Sequence, residues 1–334
     1  MSDAVQPLLR LEHTKVYYPL RGGVFSRVTS HVKAVDDVSF SIHPHETLGL
    51  VGESGCGKST IGRAIMRLED ITAGRILFDG EDITGHTRRH MRTVWPRMQM
   101  VFQDPYSSLN PRKTVEDTLA EILLVHRVVP PAEVDGEIDR ILGLIGLNPD
   151  SKKRYPYEFS GGQRQRISIA KALTLRPKLL ICDEAISALD VSIQAQILSL
   201  FQELRGKLGL TYLFIAHGLG AVKYTSDRVA VMYLGKIVEI AKTELLFSDP
   251  RHPYTQALLS AYPDPNPRNR GRNRIVLGGS VPSPADPPSG CRFRTRCPFA
   301  QPLCAESVPE LAGDGDHSAA CHFQISRSDW RAQP

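Results

Sequence analysis

Gly52-Glu53-Ser54-Gly55-Cys56-Gly57-Lys58-Ser59-Thr60 is the stretch on which the fold turns, with Leu48-Gly49-Leu50-Val51 before it and Ile61, Ala64, Ile65 and Leu68 after it. The first flank reads as a buried strand and the second as the apolar face of a helix, which is the setting a phosphate-binding loop requires. Gly52, Ser54, Gly55, Cys56 and Gly57 supply a backbone that can curl its N–H groups round phosphate oxygens. The helix N-terminus adds partial positive charge. Lys58 can reach the β- and γ-phosphates, Ser59 can hold Mg²⁺, and Thr60 neighbours the α-phosphate. The bland alternative is a glycine-rich turn entering a helix; full spacing in the right context favours the phosphate site. Cys56 lies beside Lys58 and a helix N-terminus, conditions that lower a thiol pKa. Alkylation there that nucleotide blocks is one expectation, weighed against the favoured reading of a small loop residue with no redox role.

The 334 residues, 41% of them hydrophobic, can bury a sizeable core and have room for roughly two domains. Forty-one Lys and Arg against 36 Asp and Glu give +5, spread along the chain apart from Arg268, Arg270, Arg272 and Arg274. That run is most simply a solvated linker, with an anionic membrane surface as the weaker reading. No stretch approaches the ~20 apolar residues needed to cross a bilayer, and Met1-Ser2-Asp3-Ala4 lacks a charged-then-apolar signal. Any membrane role is therefore expected to go through a partner. Of six cysteines, Cys56 and Cys182 sit in the nucleotide region, while Cys291, Cys297, Cys304 and Cys321 crowd the end. A cytosolic nucleotide enzyme argues against disulfides, which leaves metal or cluster ligation open.

Along the chain, Leu8 to Tyr18 and Val35 to Ile42 read as strands, separated by a polar, glycine-containing insertion from Arg21 to Lys33. Tyr18 can stack on a purine ring, with Tyr17 its nearest competitor and ordinary strand-end packing the alternative. Gly74 to Gly80 predicts a strand and an Asp-Gly turn, and Met98 to Phe102 a short strand ending at Gln103. From Asp104 the pattern turns helical, at Val115 to Val125 and Glu133 to Leu144, predicting an inserted subdomain over about residues 104–165. Ser160-Gly161-Gly162-Gln163 opens a further helix. Lys178 to Cys182 is an apolar strand ending at Asp183-Glu184, Ser192 to Leu208 a helix stopped by Gly209, and Thr211 to Ala216 a strand with His217 at its end. Strands alternating with helices predict an α/β fold with a mainly parallel sheet and ligands at the strand C-termini. After Asp249 come one helical piece, Tyr254 to Ala261, an extended linker, Pro263 to Pro288, and the cysteine tail.

The ordered set of the phosphate loop, Gln103, Ser160-Gly161-Gly162-Gln163, Asp183-Glu184, Ser187-Ala188-Leu189-Asp190 and His217 resembles the ATP-binding subunit of ABC transporters over about residues 8–240. The resemblance implies a P-loop ABC ATPase core with a mainly parallel sheet, the helical subdomain, an antiparallel β subdomain and a cysteine-containing C-terminal extension, divided as 1–248 and 249–334. It implies that Asp183 with Ser59 and Gln103 serves Mg²⁺, that Glu184 is the base for the attacking water, and that His217 contacts the γ-phosphate. Ser160, Gly161, Gly162 and Gln163 then complete the ATP pocket of an opposite subunit, identical or related, and Asp190 contacts across that dimer. Phe159, Ala185-Ile186 and Gly218 depart from the usual residues and put loop geometry and turnover in question. A non-transport ABC ATPase acting on nucleic acid would need coiled coils or a second cassette, which this chain lacks; no nucleic-acid partner is expected.

Gln103-Asp104-Pro105-Tyr106-Ser107-Ser108-Leu109-Asn110-Pro111-Arg112, Asp190 to Gln196 and His252-Pro253-Tyr254-Thr255-Gln256-Ala257-Leu258 are similar to the dipeptide and oligopeptide uptake branch of prokaryotes. That likeness implies two membrane-spanning permease subunits, an external substrate-binding protein and a peripheral position on the cytoplasmic face of the cell membrane. Relatives in the branch also carry nickel chelates, opines or glutathione. Cys291, Cys297, Cys304 and Cys321 resemble the branch's cysteine tail, which implies a [4Fe–4S] cluster. Structural zinc and free thiols are the alternatives, and His317 or His322 can substitute for a ligand.

Overall fold

The computed structural model describes residues 6–22, 26–104, 108–261 and 275–324. Met1 to Ala4, Pro105 to Ser107 and the four arginines between 268 and 274 lie outside them. The strands of the described residues are β1 (Leu9–Gly22), β2 (Arg27–Ile42), β3 (Thr47–Val51), β4 (Ala73–Phe78), β5 (Glu81–Asp82), β6 (Met98–Val101), β7 (Leu179–Asp183), β8 (Thr211–Ala216), β9 (Arg228–Tyr233), β10 (Lys236–Lys242), β11 (Ala312–Gly313) and β12 (His317–Ala319). The chain forms two compact units: one holds the residues up to Leu8, Ile42–Thr47 and Gly85–Ile215, the other Leu9–Ser41, Leu48–Thr84 and the chain from Ala216 onward.

In the second unit an antiparallel sheet runs β2-β1-β4-β5, and a second set runs β11-β12-β10-β9-β3. β3 is buried along its whole length and pairs in parallel with β9, Leu48 opposite Arg228 and Val51 opposite Val231. A run apolar on both faces suits such an interior parallel strand. β1 pairs with β4, Leu9 opposite Phe78 and Leu11 opposite Ile76, so the apolar alternation of both strands faces one core. The predicted insertion from Arg21 to Lys33 is corrected in part, because Arg27 to Lys33 belongs to β2. Residues 27–31 are exposed there, and a strand with neither face buried has no alternating pattern to read.

The expected extension also differs from a simple appendage. β12 adds antiparallel to β10, with Glu239 opposite Ala319 and Ala241 opposite His317. The imidazole Nε2 of His317 lies 2.6 Å from Glu239 Oε1, both side chains being buried. Strands of two or three residues are too short for periodicity to reveal.

In the first unit, β8-β7-β6 are parallel neighbours, Met98 opposite Leu179 and Asp183 opposite Ile215. β7 and β8 are buried throughout. The inserted helices form as expected at Val115–Val125, opened by a reciprocal Thr114–Asp117 capping box, and at Val134–Leu144. The helix Gly161–Leu173 follows. The helix Val191–Leu208 ends at Gly209, whose φ of 64° is the left-handed stop predicted for it.

Candidate nucleotide site

In the second unit the chain leaves β3 at Val51 and enters the helix Lys58–Ile65 through the glycine loop. Gly57 caps that helix at φ 108°, and a Cβ there would sit 2.1 Å from the carbonyl oxygen of Ala34. Only glycine fits. Ser54 and Gly55 are exposed, Ser59 and Thr60 half-buried. Lys58 is buried, its ammonium donating to the carbonyls of Gly52 at 2.8 Å and Glu53 at 3.1 Å. A cation folded onto its own loop is poised above the segment whose N–H groups can take an anion.

Cys56 departs from the lowered thiol pKa that its neighbours in sequence suggest. It is 5% exposed, and burial pushes its thiol above the usual range despite the opposing influence of Lys58. The lowered thiol pKa is therefore corrected, because desolvation outweighs the nearby charge, and the reading as a small loop residue fits.

The choice between Tyr17 and Tyr18 narrows. The Tyr17 hydroxyl donates to Asp36, which also receives Arg292. Burial raises the Tyr18 phenol, with Glu69 adding to the rise and Thr60 of the loop opposing it. His217 is exposed just past the last residue of β8, and Gly218 caps the short helix Leu219–Thr225. A side chain at Gly218 would meet nothing within 4 Å, so this departure leaves the backbone unconstrained.

The first unit carries the remaining candidates. Asp183 ends β7 and is 6% exposed. Glu184 adopts φ 51°, a left-handed conformation costly for a non-glycine residue. It is held there by its N–H on Ile215 O at 3.0 Å and by its carbonyl, which accepts Ser187 N–H at 3.0 Å and Ser187 Oγ at 2.9 Å. Ala185 and Ile186 are buried, so the departures after the glutamate act as apolar anchors of the turn. Ser160 and Gln163 cap one another at 3.0 and 3.3 Å at the start of an 13-residue helix. Ser160 and Gly161 are exposed, whereas a Cβ on Gly162 would come within 2.5 Å of Ile193 Cγ2. Phe159 is buried under the Arg154 guanidinium at 4.6 Å, a packing role as expected. Gln103 and Asp190 are exposed, and Val191 beside Asp190 is 82% exposed.

Comparison with known proteins accords with these parts. Residues 35–187 match the ABC transporter family and residues 238–304 the oligopeptide/dipeptide transporter C-terminal region. The oligopeptide transport ATP-binding protein AppF of Bacillus subtilis is 52% identical over 323 residues, covering 95% of this chain and 98% of AppF. The chain belongs to the ATP-binding proteins of the ABC transporter family. Among solved structures, CbiO1 of Clostridium perfringens, part of the ABC transporter complex CbiONQ, aligns with a TM-score of 0.63 at 26% identity over 72% of this chain and 90% of that one. The dimeric ATP-binding cassette MJ0796, bound to ADP and phosphate after hydrolysis, shares the fold, with a TM-score of 0.62 at 23% identity over 70% of this chain and 98% of that one.

An ABC ATPase hydrolyses ATP, with Mg²⁺ expected at the phosphates, and membership implies a dimer of ATP-binding subunits and membrane permeases as partners. No described helix is long and apolar enough to cross a membrane.

The C-terminal extension brings Cys291, Cys297, Cys304 and Cys321 to the wall of one cavity, with His252, Phe293, Phe299 and His322. None forms a disulfide. Burial raises the Cys297 thiol to about 12 and the Cys321 thiol to about 11, and raises that of Cys291 as well. The donors suit soft-metal chemistry in kind and number. Their spacing here does not: the cavity holds about 20 Å³, near one water, and no described group of three or more His, Cys, Asp or Glu is close enough to hold an ion. His317 is engaged with Glu239 instead.

The extension also reaches the phosphate loop, which sequence reasoning missed. Arg296 grips the Glu53 carboxylate with Nη1 at 2.8 Å and Nη2 at 3.2 Å, and the Tyr254 hydroxyl accepts the Glu53 N–H at 2.8 Å. The only signal was the interleaving of arginines between Cys291 and Cys297, which has no spacing rule.

Proposed function

We propose that this ABC ATPase powers uptake of di- and oligopeptides through two permease subunits supplied by an external substrate-binding protein, working at the cytoplasmic face of the membrane. The match of residues 238–304 to the oligopeptide/dipeptide C-terminal region carries this reading, and the likeness to AppF, an oligopeptide transport ATP-binding protein, supports it. We divide the chain as an ABC nucleotide-binding domain, 1–248, with a helical subdomain over about 104–165, and an extension, 249–334.

In this reading Tyr18 takes the base, Lys58 the β- and γ-phosphates and Gly52 to Gly57 the phosphate oxygens through their amides. Ser59, Gln103 and Asp183 would hold Mg²⁺, which neutralises phosphate charge. Glu184 takes the proton of the attacking water, a role its clamped backbone suits, because a base must stay aimed while it accepts a proton. His217 contacts the γ-phosphate. Ser160, Gly161, Gly162 and Gln163 close on the nucleotide of the second ATP-binding subunit, identical or homologous, and Asp190 contacts across the pair; exposure of Ser160, Gly161 and Asp190 supports this.

Uptake of labelled di- and oligopeptides in cells lacking the chain, complemented with wild type or Glu184→Gln, tests the reading. Restoration by wild type alone is expected. Peptide uptake that is normal without the chain, while a nickel chelate or opine fails to enter, would redirect the substrate.

For the tail we propose a [4Fe–4S] cluster with a structural or regulatory role, zinc being the alternative, supported by four thiols converging on one cavity. The sulfurs must draw together and deprotonate to bind it. Iron and acid-labile sulfide in stoichiometric amounts after anaerobic purification are the expected result; zinc alone would refute the cluster.

A further inference from the structure

An anion site is built from N–H groups and positive charge, yet this phosphate loop carries a carboxylate immediately after its first glycine, Glu53. A like charge beside bound phosphates opposes their binding unless it is neutralised. The neutralising cation comes from the far end of the sequence. Arg296, 8% exposed, holds both carboxylate oxygens of Glu53, which is 28% exposed, in a two-pronged contact. Such pairing fixes direction as well as charge.

Every polar handle of Glu53 is in use. Its N–H goes to Tyr254 Oη at 2.8 Å, its carboxylate to Arg296, and its carbonyl to Lys58 Nζ at 3.1 Å and to Cys56 N–H at 3.3 Å. Tyr254 is itself fully buried, with ring centroids of Tyr233 at 4.7 Å and Phe293 at 5.5 Å. Arg292, four residues before Arg296, bonds to Asp36 and to the carbonyl of Leu234, so the segment is anchored at two points. The carboxylate is thereby drawn toward the extension, and the lysine that faces the nucleotide is tied to the same residue.

From this geometry we infer that Arg296 and Tyr254 are positioning residues of the ATP site, acting through Glu53: Arg296 neutralises and orients a carboxylate built into the phosphate loop, and Tyr254 fixes the loop's backbone. The inference rests on ATP binding by this ABC ATPase and is independent of which solute is transported. It makes the C-terminal extension part of the nucleotide-binding machinery.

The test is the affinity of the purified full chain for ATP, ADP and adenosine, measured by titration calorimetry on wild type, Arg296→Gln, Arg296→Lys, Glu53→Gln and the double variant Glu53→Gln/Arg296→Gln. A charge-assisted two-pronged contact corresponds to about tenfold or more in affinity. Arg296→Gln is expected to weaken ATP about tenfold, ADP less and adenosine least, because the uncompensated carboxylate opposes phosphate charge. Arg296→Lys should recover part of the loss. The double variant should return to within about threefold of wild type, since the charge that needed compensation is gone. Equal loss in the single and double variants, equal loss for all three ligands, or no loss in Arg296→Gln would each overturn the inference. Should Arg296→Gln fail to fold, Glu53→Gln reads the same charge: it is expected to bind ATP at least as tightly as wild type, and weaker binding would refute the electrostatic role. Tyr254→Phe, which removes one hydroxyl, should weaken ATP several-fold with the aromatic packing retained, and wild-type affinity in it would remove Tyr254 from the proposal.

Discussion

Acidification from pH 7 to pH 5 is expected to remove about 2 kcal/mol of stability through one side chain, His252. The residue is 1% exposed; its ring Nδ1 accepts the main-chain N–H of Tyr254 at 3.1 Å, and its main-chain N–H donates to Glu239 Oε2 at 3.0 Å. Burial lowers its pKa to about 4, with Glu239 acting in the opposite direction. A depressed imidazole pKa means that the unfolded chain, titrating near 6.5, takes up its proton first. Stability from this group is therefore complete above about pH 6.5 and declines down to about pH 4, below which both states are protonated. At pH 5 the unfolded form gains RT ln(1 + 10^1.5) and the folded form RT ln(1 + 10^−1), a difference of about 2 kcal/mol. His252→Asn keeps an acceptor for the Tyr254 N–H and cannot titrate. Urea unfolding of both proteins at pH 7 and pH 5 should show the wild type losing about 2 kcal/mol more than the variant on acidification. Equal losses would show that the imidazole is already charged in the folded chain, or free to reach water, and the reasoning would fail.

Gly57→Ala places a Cβ 2.1 Å from a backbone oxygen at φ 108°, so it should both abolish detectable ATP binding by calorimetry and lower stability by about 1–3 kcal/mol; wild-type affinity would contradict the loop geometry. Arg292→Leu leaves the Asp36 carboxylate, 12% exposed, without its guanidinium and should cost about 3–5 kcal/mol in chemical unfolding, most of it recovered when Asp36→Asn is added. Cys56 should react with maleimide more slowly than a free thiol at neutral pH, with ATP and without it, as read by mass spectrometry of the labelled peptide; fast labelling that ATP blocks would restore the low-pKa reading.

Legibility followed the range over which each feature is encoded. The phosphate loop was plain because Gly57 must be glycine for a backbone reason and because strand and helix flank it directly. The helices Val115–Val125 and Val191–Leu208 announced themselves through periodicity and through local caps at Thr114 and Gly209. Arg27 to Lys33 escaped because a strand exposed on both faces carries no pattern. The lowered pKa suggested for Cys56 failed because its neighbours in sequence are charged while its surroundings in space exclude water, and burial outweighs the charge. The pairing of Glu53 with Arg296 spans 243 positions, and no local rule joins residues so far apart.

The interleaved segment from Cys291 to Cys297 has a thermodynamic consequence. Free energy that the extension contributes to nucleotide binding is returned by the nucleotide to the extension, in equal amount. ATP should therefore slow amide exchange between Cys291 and Cys304, where main-chain bonds of 2.8 Å from Cys291 to Cys304 and 2.9 Å from Arg296 to Phe293 tie the arginines to the cavity wall. Reciprocity then makes the thiols a reporter of nucleotide occupancy, and makes any chemistry on those thiols a variable that ATP concentration controls.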